Sequence, residues 1–274
     1  MSTNLCLGLD VHILGKPLDF RLEELDHPRN MIRKNVRDIY FELSRRLRSF
    51  GVVRCILPKL NASNAEFGDT RSYVFDLEFR TSNGVPVYKN RNSIDAFTLP
   101  SGYSCLMRSA DCPTLILFNE KNRIVVVAHC SRDSLICRQE VLCGVKKRRY
   151  STVIHPSVNV FEKLGISDHE IKAHISCGIA GEYFKHKPDN EKYGRYNQDL
   201  SKFIADSYGS KCFHGHPQDG CVKLDEVIRA QLLMCGITNV THDGLDTFSD
   251  QRLYSNRVGD VGRNGVFVIN SMTT

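Results

Sequence analysis

The chain has 274 residues, of which 41% are hydrophobic and 25% are charged, and its formal net charge is +6. This composition is typical of a globular protein with an ample core, and it excludes disordered and fibrous chains. No apolar run approaches the roughly 20 residues of a membrane span, and the N-terminus lacks the basic start and apolar stretch of a signal peptide. We therefore expect a single cytoplasmic domain over residues 1–274, without a membrane partner.

The cysteines indicate the redox state of the protein, and the basic residues indicate the kind of ligand that it binds. The eleven cysteines are an odd number and include no Cys-x-x-Cys pair, so we expect reduced thiols rather than a disulfide framework. The positive charge favours anionic ligands, but the basic residues are scattered apart from a short cluster at 146–149. The sequence therefore predicts no specific nucleic-acid partner, and it does not determine the oligomeric state.

The N-terminal part of the chain predicts one long helix and several strands. Apolar residues recur at three- and four-residue spacing between 29 and 50, which is typical of a helix with one buried face. The opposite face of this helix is basic, and we interpret it as a solvated surface. Strands follow at 52–57, 73–79 and 85–88, and the turn Ser82-Asn-Gly84 joins the last two into a hairpin.

The rest of the chain alternates strands and helices without a repeating βαβ pattern. The predicted helices cover 134–144, 158–164 and 224–235. The predicted strands cover 95–98, 103–107, 113–118, 123–128, 171–176 and 265–269. Such a mixture favours a single mixed α+β domain with a largely antiparallel sheet over a doubly wound parallel sheet.

The segment from Cys112 to His129 predicts a β-hairpin that carries a thiol and an imidazole at its open end. Two apolar strands flank the polar turn that begins at Asn119 and ends at Asn122. If these two asparagines pair, the antiparallel register places Cys112 directly opposite His129. Opposed residues have Cβ atoms about 5 Å apart, so the two side chains are predicted to touch.

A cysteine and a histidine in contact have three interpretations. They are a nucleophile with its base, two ligands of one metal ion, or a buried cysteine beside a core histidine. Polar residues flank both strand ends, as in Ser109-Ala-Asp-Cys112 and His129-Cys-Ser-Arg-Asp133. This flanking sequence favours a functional site, because sites on β scaffolds usually lie where strands end.

A second cluster of ligand-type residues lies closer to the C-terminus. Four zinc-type side chains fall within ten positions, at Cys212, His214, His216 and Cys221. Their spacing fits no standard zinc finger, in which about a dozen residues separate two ligand pairs. We interpret this segment as a loop with incidental thiols and imidazoles, and a metal site there is the weaker alternative.

The order of motifs resembles a known family. The paired segments Ser109-Ala-Asp-Cys112-Pro and Val126-Val-Ala-His129-Cys-Ser-Arg-Asp133 are similar to those of the family first named multicopper polyphenol oxidoreductases, or laccase-like proteins. This family was later understood as zinc-dependent purine nucleoside phosphorylases. Further segments agree in order and type, namely Asp95-Ala-Phe-Thr98, Ser176-Cys-Gly-Ile-Ala-Gly181 and Leu253-Tyr-Ser-Asn-Arg257. The resemblance covers most of residues 29–270, and it implies a variable N-terminal segment at 1–27 and an inserted hairpin at 70–88.

The resemblance also implies a zinc ion held by one cysteine and two histidines, with an open position for substrate. Carried over to this chain, Cys112 and His129 are two of the ligands, and Asn61 stands where the other histidine is expected. A neutral amide oxygen is a weak zinc ligand beside imidazole, so the resemblance predicts a loosely held zinc.

The activity implied by the resemblance is phosphorolysis of a purine nucleoside. Phosphate attacks C1′ of the ribose as the base leaves, and such a reaction needs cationic side chains that hold the phosphate. Arg132, Arg257 and Arg263 are the candidates for this role, and Asn61 is a candidate contact to the substrate. The expected partners are therefore a purine nucleoside and inorganic phosphate.

Three other functions are the alternatives if zinc is not the cofactor. The laccase-like fold resembles that of bacterial glutamine deamidases, which implies Cys112 as nucleophile, His129 as base and Asn61 as a support for the oxyanion. A nucleoside-binding pseudoenzyme without turnover is the second alternative. Copper-dependent phenol oxidation is the least favoured, because a centre of several copper ions needs many more histidines in paired motifs than this chain has.

Overall fold

Two stacked β-sheets form the centre of the protein. The computed structural model describes residues 1–20, 45, 52–58, 60, 67–68, 75–80, 85–90, 93–144 and 152–271. In chain order, the strands are β1 (Ser2–Cys6), β2 (Leu9–Leu14), β3 (Arg54–Leu57), β4 (Phe67–Gly68), β5 (Phe75–Arg80), β6 (Pro86–Asn90), β7 (Ala96–Thr98), β8 (Tyr103–Ser109), β9 (Thr114–Asn119), β10 (Ile124–His129), β11 (Lys172–Ser176), β12 (Val240–His242) and β13 (Asn264–Asn270).

The two sheets divide the strands between them. The first sheet has the order β1-β2-β13-β8-β3-β6-β5, and the second has the order β12-β11-β9-β10-β7-β4. Most pairs among the described strands are antiparallel, whereas β3 runs parallel to both of its neighbours, β4 runs parallel to β7, and β11 runs parallel to β12. The predicted mixed α+β fold with largely antiparallel pairing is confirmed, with two sheets in place of one.

An apolar cluster fills the space between the two sheets. Val11 and Val268 of the first sheet lie in this cluster together with Ile116 and Val127 of the second, and each is at most 1% exposed. The alternate residues of β9 and β10 point to the opposite face of the second sheet, as the two-residue repeat of a strand requires. Because both faces of these strands are buried, their sequences are continuous apolar runs.

Helices cover the outer face of the second sheet. They are α1 (Arg132–Leu135), α2 (Arg138–Cys143), α3 (Ile154–Lys163), α4 (Gly194–Tyr208) and α5 (Leu224–Met234). Helix α5 packs its apolar face towards this sheet. Leu224, Ile228 and Leu232 recur at four-residue spacing and are fully buried in the core cluster of this face. Truncating one such leucine to alanine is expected to cost about 2–5 kcal/mol. None of the helices in the described ranges is both long and apolar enough to cross a membrane.

The helices differ from their predicted bounds for identifiable reasons. The helix expected at 134–144 is split into α1 and α2, because Ile136 adopts extended backbone angles. Helix α4 was not predicted, since Gly194, Asn197 and Ser201 occupy its buried side and weaken the apolar repeat. The helix expected at 29–50 and the basic cluster at 146–149 lie outside the described residues.

The hairpin of β9 and β10 forms, but its register differs from the prediction. Asn119 pairs with Ile124 rather than with Asn122, so four residues form the turn and His129 lies opposite Thr114. The backbone N–H of Asn122 donates to the side chain of Asn119 over 2.8 Å. Arg123 adopts a left-handed conformation with φ of 53°, which accommodates the longer turn. The predicted direct opposition of Cys112 and His129 is therefore wrong.

The predicted hairpin before the site is also present. Strands β5 and β6 pair in an antiparallel arrangement, with an irregularity between Leu77 and Phe79. It stays a prediction that this hairpin is an insertion. It also stays a prediction that the chain is one domain with a variable N-terminal segment.

Candidate functional site

A row of buried polar side chains crosses one end of the second sheet, where the apolar strands stop. His129 pairs with Thr114 on β9, and Thr114 pairs with Ser176 on β11. On the other side, the backbone N–H of His129 donates to the carbonyl of Asp95 over 2.7 Å. All four side chains are at most 4% exposed. Since paired residues project to the same face, the row lies on the face that carries Val127 into the space between the sheets.

The imidazole of His129 is held between a carboxylate and a thiol. Its Nδ1 lies 3.3 Å from Oδ1 of Asp95, and the ring also hydrogen-bonds the side chain of Cys112. Burial lowers the pKa of His129, but hydrogen bonds and charge interactions with Asp95 and Cys112 outweigh burial and raise the pKa to about 9. The resulting chain of thiol, imidazole and carboxylate has the order of a nucleophile, its base and the group that orients the base.

Cys112 reaches His129 despite the different register. Cys112 lies in the bend that precedes β9, two residues before Thr114, which is the partner of His129. The structure thus brings the two side chains together through this bend and not through a strand pair. Cys112 is partly exposed, whereas His129 is buried.

Asp111 ties the loop that follows β12 to the start of β9. Its Oδ1 accepts hydrogen bonds from the hydroxyls of Thr247 and Ser255 over 2.9 and 2.7 Å. Its Oδ2 accepts the backbone N–H of Arg257 over 3.1 Å. The carboxylate of the Ala-Asp-Cys motif therefore has a positioning role, because it brings a distant loop beside Cys112.

Two of the three predicted arginines meet beside this group. Arg132, on α1, interacts electrostatically with Cys112 and bonds Asp133 over 2.6 Å. Burial and the charge of Arg132 lower the pKa of Arg257, while Asp111 acts in the opposite direction. A partly buried and an exposed guanidinium group whose charges interact form a place where an anion is stabilised.

The other predicted site residues have different positions. The guanidinium Nη1 of Arg263 donates to the carbonyls of Val261 and Gly262 within its own turn. Its backbone N–H donates to Asp19 over 3.0 Å. Asn61 lies outside the described residues. The structure therefore groups Arg132 and Arg257 with Cys112 and His129, and it gives Arg263 contacts in its own turn.

His186 belongs to the arginine group and was not predicted from the sequence. It is 5% exposed, and its Nε2 is buried without a hydrogen-bond partner among the described residues. Burial, Arg132 and Arg257 lower the pKa of His186 to about 3, so the ring is neutral at physiological pH. A lone histidine in a polar segment gives no sequence signal, because only folding brings it to the two arginines.

The second cluster of ligand-type residues is used locally. The thiols of Cys212 and Cys221 face the carbonyls of Tyr208 and Asp219 at 3.6 and 3.7 Å. In the same loop, Nδ1 of His216 accepts the backbone N–H of Gln218 over 3.2 Å, and Nε2 of His214 lies 4.0 Å from Glu182. These separate partners agree with the interpretation of the segment as a loop.

Comparison with known proteins identifies the family. A family model described as multi-copper polyphenol oxidoreductase laccase matches residues 79–271. The chain belongs to this laccase family. The match spans the polar row, Cys112 and the loop held by Asp111, and it confirms the resemblance seen in the motifs. No curated protein matches the chain.

Solved structures of similar fold support the laccase-family architecture. The Neisseria meningitidis protein NMB0706, described as DUF152, has a TM-score of 0.65 at 14% identity, with 99% of each chain covered. The hypothetical protein YfiH of Bacillus licheniformis has a TM-score of 0.62 at 14% identity, over 95% of this chain and 92% of that one. YlmD of Geobacillus stearothermophilus has a TM-score of 0.62 at 15% identity, over 96% and 92%. At such identities, the likeness shows the fold alone.

The donors present fit part of a metal site. Thiolate and imidazole are ligand types that zinc and copper accept, and a carboxylate behind the imidazole, as Asp95 is, commonly orients a metal-bound histidine. Among the described residues, no three His, Cys, Asp or Glu side chains are grouped so that they could hold a metal ion. The described part of the laccase-family site thus supplies the two donors Cys112 and His129, whereas a catalytic zinc site has three protein ligands.

Proposed function

We propose that this laccase-family protein is a purine nucleoside phosphorylase. The observation that supports the proposal is that the charges of Arg132 and Arg257 interact with each other, and that Arg132 also interacts with Cys112 of the group formed by Cys112, His129 and Asp95. A reaction with phosphate as nucleophile needs a cationic place for the anion near the groups that act on the sugar and the base. Cys112 and the polar row supply such groups in the neighbourhood of the arginines.

The proposed reaction is a transfer of the ribosyl group from the purine to phosphate. One oxygen of monohydrogen phosphate forms a bond to C1′, and the bond between C1′ and N9 of the purine breaks. The electron pair of the broken bond stays on the purine, which takes up the proton that phosphate loses. The products are ribose 1-phosphate and the free base, and no oxidant or reductant is consumed.

The residues of the site have distinct roles in this reaction. Arg132 and Arg257 hold the phosphate and stabilise its charge as it approaches C1′. Asp95 fixes the orientation of His129 through Nδ1. Cys112 and His129 would hold a zinc ion, which would supply positive charge for the leaving purine.

The activity is tested with purified protein, inosine, guanosine or adenosine, and inorganic phosphate. We expect free base and ribose 1-phosphate in equal amounts, measured by chromatography, and no product when phosphate is omitted. Base release that is independent of phosphate would contradict phosphorolysis. Binding of a nucleoside without release of its base would identify the protein as a pseudoenzyme.

The zinc proposal is tested separately by metal analysis of the purified protein. We expect less than one zinc per chain, because the described residues provide two donors. The Cys112→Ala variant is expected to lose this zinc, whereas Cys212→Ala keeps it and is the matched control. Zinc that remains in Cys112→Ala would contradict its assignment to this site.

A thiol amidohydrolase is a second candidate, favoured by one specific observation. The order of Cys112, His129 and Asp95 is that of a nucleophile, base and orienting group, and it is complete among the described residues. We then expect rapid alkylation of Cys112 by iodoacetamide at neutral pH and release of ammonia from glutamine-containing peptides. Slow alkylation together with phosphorolysis would remove this candidate.

A further inference from the structure

The proposed reaction leaves the role of His186 open. Its backbone is fixed, because its N–H donates to the carbonyl of Gly220 over 2.8 Å and Lys185 bridges Cys221. Position 220 must be glycine, since φ is +67° and a Cβ there would lie 2.2 Å from the carbonyl oxygen of His186. The fold thus holds His186 firmly, yet Nε2 has no hydrogen-bond partner in the described structure. A buried polar atom without a partner is costly, so Nε2 points to a ligand that binds from outside.

The surroundings of His186 determine which hydrogen bond it offers. A neutral imidazole has one nitrogen that donates and one that accepts. Arg132 and Arg257 both act on this ring with their positive charges. A positive potential favours a lone pair over an N–H on the buried nitrogen, because the lone pair is the negative end of the ring dipole. Nε2 is therefore assigned as an acceptor beside two strong donors.

Arg257 and His186 both pack against the ring of Phe184. The guanidinium carbon of Arg257 lies 4.9 Å from the ring centre of Phe184, and that ring meets His186 edge-on at 4.7 Å. Nη1 of Arg257 donates to the carbonyl of Lys185 over 3.2 Å. Since Arg257 is an exposed and flexible side chain, its guanidinium group can turn from this carbonyl towards an anion beside His186.

We propose that Nε2 of His186 accepts the O–H of monohydrogen phosphate held by Arg132 and Arg257, and so selects phosphate over sulfate. The proposal rests on the proposed function, which places phosphate at the two arginines. Sulfate carries the same charge and shape but has no proton at neutral pH, so its oxygen would meet the lone pair of Nε2. A site that presents an acceptor rejects a ligand that lacks the matching donor.

The test measures binding of inorganic phosphate and of sulfate by titration calorimetry, in a buffer that contains neither anion. We expect the wild-type protein to bind phosphate at least about tenfold more tightly than sulfate, as one hydrogen bond to a charged ligand implies. In His186→Leu, the affinities are expected to become similar through a loss of phosphate binding. His186→Gln keeps a polar side chain, offers both a donor and an acceptor, and is expected to bind both anions. The remote, exposed His169→Gln is the matched control and keeps the wild-type ratio.

Three results would overturn the proposal. They are equal binding of phosphate and sulfate by the wild type, an unchanged ratio in His186→Leu, and tighter binding of a nucleoside 5′-monophosphate than of free phosphate. Phosphate selectivity without nucleoside cleavage would leave this proposal standing and remove the phosphorylase. Cleavage of nucleosides with an unchanged ratio in His186→Leu would remove this proposal and leave the phosphorylase standing.

Discussion

Two regions of the protein are rich in cysteine and histidine, and they use these residues differently. Cys112 and His129 are 17 positions apart, yet adjacent strands bring them into contact with each other and with Asp95. The loop from Cys212 to Cys221 contains four ligand-type residues within ten positions, and each described side chain there has its own local partner.

The difference shows that strand pairing, rather than density in the sequence, assembles a site. A loop that folds on itself satisfies most of its thiols and imidazoles with nearby backbone groups, as for Cys212, His216 and Cys221. Adjacent strands instead hold side chains in one row at a sheet end, where they can face a ligand together. If this explanation is correct, substitutions in the two regions must have opposite effects on activity and stability.

The largest expected effect is on turnover. Cys112→Ser is expected to reduce the rate of nucleoside cleavage on the order of a thousandfold, as removal of a central catalytic group commonly does. Cys212→Ser is expected to leave the rate within about threefold, since the thiol of Cys212 bonds the carbonyl of Tyr208 in the core under the helices. Steady-state assays of both variants make the comparison, and equal losses in the two would remove the distinction between the regions.

Asp95→Asn is expected to have the next largest effect. The amide keeps the shape of the side chain but loses the charge that orients and stabilises the imidazole, so turnover should fall about 10- to 100-fold. Glu120→Gln, which alters an exposed ion pair with Lys172 at the turn of the hairpin, provides the control and should retain turnover. A wild-type rate in Asp95→Asn would show that His129 acts without its carboxylate partner.

The third expected effect is on stability, and here the substitution of Cys212 is expected to cost more than that of Cys112. Cys212 is fully buried in the core cluster under the helices, so Cys212→Ala should lower the free energy of unfolding by about 1–3 kcal/mol. Cys112 is partly exposed, and Cys112→Ala should lower it by less than about 1 kcal/mol. Urea denaturation followed by circular dichroism measures both values. A greater loss in Cys112→Ala would contradict the comparison.

The smallest expected effect concerns pH. Burial, Arg132 and Arg257 lower the pKa of His186 from 6.5 to about 3, so the unfolded chain binds this proton more tightly than the folded one. The corresponding stability is present above about pH 6.5 and is lost as the pH falls towards 3. Between about pH 6.5 and 5, the wild type should lose about 1.5 kcal/mol more than His186→Leu. If the free energy of unfolding changes equally with pH in the wild type and in His186→Leu, His186 is not buried as described.

The strands of the site were predictable because burial on both faces gives β9 and β10 continuous apolar sequences. Their register was not predictable, because it depends on the left-handed conformation of Arg123. An arginine in a sequence does not indicate such a conformation. Contact between Cys112 and His129 was nevertheless anticipated, because a register shift by two residues leaves His129 on the predicted face of its strand, and the bend before β9 brings Cys112 to it.

Other parts of the site required the folded chain. Asp95 stood in a recognised motif, but only strand pairing shows that it bonds His129. His186 gave no signal, because its place depends on a bridge between two residues far apart in the sequence, Lys185 and Cys221. Helix α4 was hidden by polar residues on its inner side. Periodicity thus predicts elements, whereas contacts that join distant segments escape it.

The hydrogen bonds of Asp111 have a consequence for the order in which the protein is made. Its partner Ser255 follows 144 positions later in the chain. A ribosome that adds about 5–20 residues per second therefore exposes Cys112 and His129 for several seconds before the partners of Asp111 emerge. A nascent or truncated chain that ends before Thr247 contains the thiol and the imidazole but lacks Arg257. Interrupted synthesis would thus yield chains that cannot assemble the anion site.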